Sequence, residues 1–306
     1  MALHILFNFI GRNTMSNEST ALMEKSFTIT AVDGFQLVAT SYETVQPIAN
    51  IIIAGATGVP QAFYRRFSRF AAERGYRTIT FDYRGISQSK TQPLKGFNAS
   101  FTDWATLDLS AVVDEIALPK QHTFMVGHSF GGHAFGLLPN HYKISGLYVF
   151  GTGAGWRGWM PRQESIKVNA MWNVILPTLT QWKGYTPMSM LGMGEDLPYG
   201  VYTQWRHWCK YPHYFFDDPK VSVQMKAKFA EVKAPIVAAN ALDDLWAMPK
   251  SRDAFIQGYR NADVTCLDIP LTPSLPKIGH MGYFRSEAQI LWGDVLNWIT
   301  QVQKAK

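Results

Sequence analysis

Residues 50–56 read Asn-Ile-Ile-Ile-Ala-Gly-Ala, and after Asn50 the run is apolar without a break. A strand with one face in water alternates polar and apolar side chains, whereas a strand covered on both faces does not. This run therefore predicts a buried strand of a parallel sheet. Parallel neighbours need a crossover between them, usually a helix. One follows, with Phe63, Phe67, Phe70 and Ala71 at helical spacing before Gly75. The alternation continues along the chain, with strand runs at 76–85, 122–129, 146–153, 234–241 and 263–270. Residues 102–117 read as a helix with Thr102 or Asp103 as N-cap, and 131–140 as a shorter helix. A last helix is expected from Ser286, with Gln289 in capping-box position and Leu291, Val295 and Ile299 turned inward. Ahead of all these, two β-rich runs flank Asp33-Gly34, a hairpin signal that adds antiparallel strands at one edge. The expected fold class is α/β, a mostly parallel sheet with helices on both faces.

Two segments stand outside this pattern. Residues 153–233 hold six of the ten tryptophans, are punctuated by Gly and Pro, and contain no clear strand. That length is too great for a plain loop, so an inserted helical, aromatic-rich cap is expected, with 26–152 and 234–306 as the core. Whatever the apolar underside of a cap covers becomes a water-poor pocket. Residues 1–25 read as a poorly defined N-terminal extension. Their apolar stretch is shorter than the roughly 20 residues that cross a bilayer, so no stable membrane insertion is expected. They also lack the basic start and small-residue cleavage site of a signal peptide, which makes the cytoplasm the expected location.

Composition narrows the partners. The net charge of +6 is spread along the chain, and its densest patch, Tyr-Arg-Arg-Phe-Ser-Arg-Phe at 64–70, fits a solvated helix face. No nucleic-acid partner is expected. The only cysteines are Cys209 and Cys266, which suits a reducing compartment and excludes a disulfide framework. His207, Cys209 and His213 lie close in sequence but lack further ligands, so no metal site is expected. Gly-Thr-Gly-Ala-Gly at 151–155 is not a dinucleotide loop, because Trp156 stands where the third glycine belongs.

Chemistry concentrates at Gly127-His-Ser-Phe-Gly131, a Gly-x-Ser-x-Gly sequence between a strand run and a helix-compatible run. In such an elbow the strand turns sharply into a helix. Side chains two positions either side of the serine would collide with their neighbours, so both must be small. Ser129 then sits at the C-terminal edge of the sheet, with the Phe130 N–H at a helix N-terminus where negative charge is favoured. A serine hydroxyl needs a base to take its proton and an acid to orient the base. Asp243 and Asp244 follow the strand at 234–241, and His280 follows the strand at 263–270, at the same sheet edge. His128 and His133 lie too near the elbow to swing in as a base, and the remaining histidines lie in the inserted segment or off that edge.

With the elbow, a later acid and a late histidine, the chain over about 26–302 resembles the α/β-hydrolase superfamily. Phe81-Asp-Tyr-Arg-Gly-Ile-Ser-Gln-Ser89 resembles its Asp-x-Arg-Gly-x-Gly-x-Ser turn, with Ser87 where glycine is usual. The segments 55–85 and 278–285 look most like a bacterial group of predicted α/β hydrolases near the serine-aminopeptidase-like and monoacylglycerol-lipase-like branches. The resemblance implies that Phe130 and Ala56, or alternatively Thr57, supply the oxyanion-hole N–H groups. A serine nucleophile excludes the dehalogenase and epoxide-hydrolase branches. Counting from Pro235 through Ala241 to the turn before Pro249, the resemblance favours Asp244 over Asp243 as the acid. Side-chain alternation along an extended backbone would send Asp243 the other way.

The implied activity is that of a serine hydrolase cleaving a carboxylic ester or thioester of a small, apolar acyl substrate, with Ser129, Asp244 and His280 as catalytic triad and no cofactor. Rivals are an acyltransferase or peptidase using the same triad, or a ligand-binding protein that keeps the fold without turnover.

Overall fold

The computed structural model of the chain describes residues 21–44 and 46–305. Most of the N-terminal extension therefore lies outside the described residues. Its last part does not: β1 is Met23–Thr30, so Met23, Glu24 and Lys25, expected to precede the fold, pair with Glu43, Tyr42 and Ser41. The other strands are β2 (Gln36–Glu43), β3 (Asn50–Ala54), β4 (Arg77–Phe81), β5 (Thr123–His128), β6 (Leu147–Phe150), β7 (Ile236–Ala241) and β8 (Val264–Ile269). They form one sheet in the order β1-β2-β4-β3-β5-β6-β7-β8. β2 runs antiparallel to both its neighbours, β1 and β4, and the other pairs are parallel.

Strand β3 shows why its sequence had to be apolar from Ile51 onward. Its side chains alternate between two cores: Ile52 and Ala54 join one, Ile51 and Ile53 the other, and all are buried. Helix α1 (Arg65–Ala72) and the C-terminal α10 (Gln289–Lys304) cover the second core through Phe67, Phe70, Trp292 and Val295. Helix α2 (Phe101–Asp103) runs through a π-helical stretch, Trp104–Leu109, into α3 (Ser110–Ile116) on the opposite face. Helix α4 (Phe130–Leu137) lies beside them, with Phe130, Ala134 and Phe135 in the first core.

Two expected helix starts are corrected. Ser100 caps α2, not Thr102 or Asp103. Its backbone is extended, as a cap requires, and its hydroxyl accepts from Asp103 N–H while Asp103 accepts from Ser100 N–H. Ser286 forms no capping box with Gln289. It lies inside a 3₁₀ turn, Ser286–Ala288, that precedes α10, and its hydroxyl donates to Glu287.

Between β6 and β7 the chain forms α5 (Arg162–Ala170), α6 (Leu176–Lys183), α7 (Tyr199–Trp208) and α8 (Ser222–Glu231), with a π-helical link, Met171–Ile175. Its extended pairing among the described residues is a single bridge, Thr186 to Leu197. The last of these helices belongs to the core layer. Phe229 of α8 lies so close over Gly136 of α4 that a methyl group on the glycine would stand 2.4 Å from the ring. Helix α9 (Pro249–Ile256) then leads to β8 at the far edge. No helix among the described residues is long and apolar enough to cross a membrane.

Candidate active site

The site is built where β5 stops. Ser129 adopts φ +52°, ψ −100°, a conformation that costs a non-glycine residue about 1–3 kcal/mol and persists only when its surroundings enforce it. The enforcement is visible on both sides. Ser129 N–H is pinned to the Phe150 carbonyl at 2.8 Å. A side chain at Gly131 would stand 2.5 Å from the Ala54 carbonyl, and one at Gly127 would stand 2.9 Å from Val149. The two glycines are thus required by the β3 and β6 backbones and side chains pressed against the bend.

The elbow brings together three of the residues expected from sequence. Ser129 Oγ is 3.0 Å from His280 Nε2, and His280 Nδ1 is 2.9 and 3.1 Å from the two oxygens of Asp244. A carboxylate can only accept, so Nδ1 carries the proton and Nε2 is free to accept from the serine. Asp244 is fully buried and accepts three further hydrogen bonds, from the Tyr283 hydroxyl and the N–H groups of Trp246 and Ala247. Burial raises a carboxyl, but His280 and these donors hold Asp244 below its ordinary value. Burial lowers an imidazole, yet the Asp244 charge prevails and His280 is raised above 6.5.

Asp243 turns away, but not through alternation of an extended chain: it lies in a turn after β7, closed by Asp244 N–H donating to the Ala241 carbonyl at 3.0 Å. Its Oδ2 accepts from Ile278 N–H at 2.9 Å, two residues before His280. The adjacent aspartates therefore meet the same loop differently, one at the ring and one at the backbone.

The oxyanion side departs from expectation at Ala56. Its N–H is committed to the Tyr64 hydroxyl at 2.7 Å, so it does not face the serine as a free donor. The hydroxyl also lies 3.0 Å from His128 Nδ1, and His128 Nε2 lies 2.8 Å from the His280 carbonyl. The proton positions follow in turn. The carbonyl only accepts, so Nε2 donates. Fully buried, His128 is pushed down to about 3 and stays neutral, so Nδ1 accepts. Tyr64 then donates to His128 while accepting from Ala56. This buried relay ties the loop after β3 to the backbone of His280, and sequence gave no sign of it.

The neighbouring Thr57 lines the cavity beside Ser129, and Phe130 is the first residue of α4, where an N–H has no intrahelical acceptor. From the inserted segment, Glu195 N–H donates to the Gly58 carbonyl at 2.8 Å, and its carboxylate accepts from Ser87 N–H at 2.8 Å. Ser87 has φ +43°, which is why glycine is usual there.

Two cavities meet at Ser129, both bordered by Trp205, Trp246 and His280. One, of about 430 Å³, is walled by Phe63, Met188, Met193 and Met281 and has Arg285 among its lining residues. The other holds about 30 Å³, among His133, Met160, Trp172, Cys209 and Tyr214. Of the histidines near Cys209 in sequence, His207 pairs with Asp218 and His213 with Asp217. Among the described residues no cluster of three or more His, Cys, Asp or Glu could hold a metal ion.

Residues 51–289 match the alpha/beta hydrolase family, and the chain belongs to that family. Solved structures that share the fold include a thermophilic esterase from Thermogutta terrifontis, at 13% identity, covering 91% of this chain and 99% of that one with a TM-score of 0.57. A thioesterase domain from the curacin biosynthetic pathway covers 90% and 99% at 14% identity and TM-score 0.54. A haloalkane dehalogenase loop variant from Bradyrhizobium elkanii covers 93% and 98% at 13% identity and TM-score 0.61. No curated protein matches the chain. A fold shared by an esterase and a dehalogenase does not choose the chemistry, which has to be argued from the site.

Proposed function

We propose that this chain is a serine hydrolase that cleaves a carboxylic ester or thioester through an acyl-enzyme intermediate. The observation that carries the reading is the continuous hydrogen-bonded line from Ser129 Oγ through His280 to buried Asp244. In the first step Oγ bonds to the acyl carbon as its proton passes to His280 Nε2. The negative charge that develops on the carbonyl oxygen is met by the N–H groups of Phe130 and Thr57, in place of Ala56. His280 returns the proton to the departing oxygen or sulfur, the bond to it breaks, and the acyl group stays on Ser129. Water then adds with His280 as base, and the acid product leaves with Ser129 reprotonated. Asp244 stays ionised throughout, holding the ring in this tautomer and offsetting its transient charge.

The helices over 153–221 act in this reading as the cap that covers the larger cavity, and α8 as part of the core. The sequence resemblance to the serine-aminopeptidase-like and monoacylglycerol-lipase-like branches is compatible with this reading and names no substrate. The test is labelling by a fluorophosphonate, located by mass spectrometry, beside turnover of an activated ester. Label on Ser129, with label lost and activity down about 10³-fold or more in Ser129→Ala, is the expected result. A Ser129→Ala protein near the parental rate refutes it.

A further inference from the structure

The smaller cavity is lined mainly by apolar side chains, yet two buried polar atoms of its lining residues have no partner among the described residues. His133 Nε2 lies 2.8 Å from the Gly153 carbonyl, which can only accept. Nε2 therefore carries the proton, and Nδ1 is an acceptor with nothing to accept from among the described residues. The Tyr214 hydroxyl is likewise unpartnered and fully buried. The two rings stack, with centroids 4.6 Å apart and planes 14° from parallel. Tyr214 is also held at φ +59°, a left-handed backbone that a tyrosine adopts only under constraint. A buried acceptor without a donor keeps the full cost of its lost hydration, so this pair is costly to keep unless something entering the cavity satisfies it.

Size limits what can enter. On the same measure a single water needs roughly 10–15 Å³, so a space of about 30 Å³ beside Ser129 takes two or three heavy atoms. The neighbouring 430 Å³ cavity, lined by flexible methionines, takes a long apolar chain.

Resting on the serine-hydrolase reading above, we propose that the substrate has two unequal arms: a long apolar one, and a short one of two or three heavy atoms bearing a hydrogen-bond donor that His133 and Tyr214 receive. A short hydroxyacyl group, or a short hydroxyalkyl alcohol, has this chemistry.

The experiment compares kcat/KM for esters that keep one octyl-length arm and vary the other. One series carries acetyl, propionyl, butanoyl, pentanoyl and hydroxyacetyl groups on octanol. The mirrored series carries ethyl, propyl, butyl and 2-hydroxyethyl groups on octanoate. Each rate is divided by that of the same ester in alkali, which removes the intrinsic activation by the hydroxyl. In one series the hydroxyl ester exceeds its methyl isostere (hydroxyacetyl over propionyl, or 2-hydroxyethyl over propyl) by tenfold or more, and an arm of four heavy atoms beyond the carbonyl carbon or ester oxygen (pentanoyl, or butyl) falls to a tenth of the three-atom one (butanoyl, or propyl). Tyr214→Phe, which keeps the ring, brings the hydroxyl-to-methyl ratio toward one. If both series rank the methyl isostere level with or above the hydroxyl ester, or Tyr214→Phe leaves the ratio unchanged, the inference is overturned while the serine-hydrolase reading stands. Cleavage of no ester in either series, with no fluorophosphonate label on Ser129, overturns the reading and the inference together.

Discussion

The two loops that converge on Ser129 are held by opposite kinds of electrostatics. On the acid–base side an ion is buried and fed: Asp244 receives four neighbours' hydrogen bonds, and its charge raises the ring it faces. On the oxyanion side nothing is charged. Ala56, Tyr64 and His128 pass a fixed order of donors and acceptors to the His280 carbonyl. On the proposed mechanism the first arrangement exchanges a proton, while the second keeps every proton where it is. A neutral relay suits a loop that must present an N–H at a fixed place whatever the pH.

The sharpest way to break this contrast is Asp244→Asn. It keeps the shape but removes the charge and permits the wrong tautomer, so kcat on a simple ester should fall on the order of 10⁴-fold, with circular dichroism unchanged. Next comes Tyr64→Phe, which frees Ala56 N–H and unpairs His128 Nδ1 without opening a cavity. Its kcat should drop roughly 10–100-fold with little change in KM, since what is disturbed is the placement of an oxyanion donor. A loss confined to KM would show that the relay serves substrate binding instead. Asp243→Asn, which weakens only the hold on Ile278, should cost about tenfold or less by the same assay. A larger loss than for Asp244→Asn would exchange the two aspartates' roles.

Smaller effects separate the two sides by pH. Activity requires neutral His280, so kcat/KM should rise with pH through a midpoint above 6.5, and Asp244→Asn should move that midpoint down. Tyr64→Phe should leave it in place. Stability follows the other side. His128 and His133 take up protons near 6.5 when unfolded but only at about 3 and about 4 when folded. Acid therefore favours the unfolded chain across that window, with a slope of roughly 1.4 kcal/mol per pH unit for each ring. His280 acts in the opposite sense, adding stability below 6.5 that fades as pH rises through its raised value. Urea midpoints of wild type and His128→Gln at pH 7 and 4.5 should show a shallower acid loss in the variant. An equal loss would mean that His128 charges inside the fold.

What the sequence revealed, it revealed through periodicity and through chemistry that has few substitutes. The run at 50–54 could only be a strand buried on both faces, and a serine between Gly127 and Gly131 after such a strand fits little else than an elbow. Asp244 and His280 stand out because a carboxylate and an imidazole each follow a later strand at the same edge. The misses have a common cause, which is that one residue type can do several jobs. Either N–H of 56–57 could face the serine, and what sequence did not show is that the Tyr64 hydroxyl reaches back to accept from Ala56. His128 looked idle beside the serine because its partner is a carbonyl, which has no signature in sequence. The Ser100 cap was legible, since Ser100 and Asp103 have capping-box spacing, but Thr102 and Asp103 are cap-forming residue types as well and stand nearer the apolar run. The place of α8 was not legible, because Phe229 reads like the other aromatics of the inserted segment until Gly136 is found beneath it.

Glu195 gives the inserted segment a consequence beyond covering a cavity. With one hydrogen bond to the Gly58 carbonyl and one to Ser87 N–H, it joins that segment to the loop carrying Thr57 and to the left-handed turn after β4. Any motion that lifts Glu195 to admit a substrate also loosens that loop. If the chain acts as proposed, access and catalytic readiness would be coupled free energies, and such a coupling would be reciprocal. A molecule that orders the loop around its oxyanion draws the inserted segment closed by the same amount that closure favours its binding. On the serine-hydrolase reading proposed above, a chain with Glu195 lifted would turn over substrate poorly, and one with both hydrogen bonds made would hold the Thr57 donor in place.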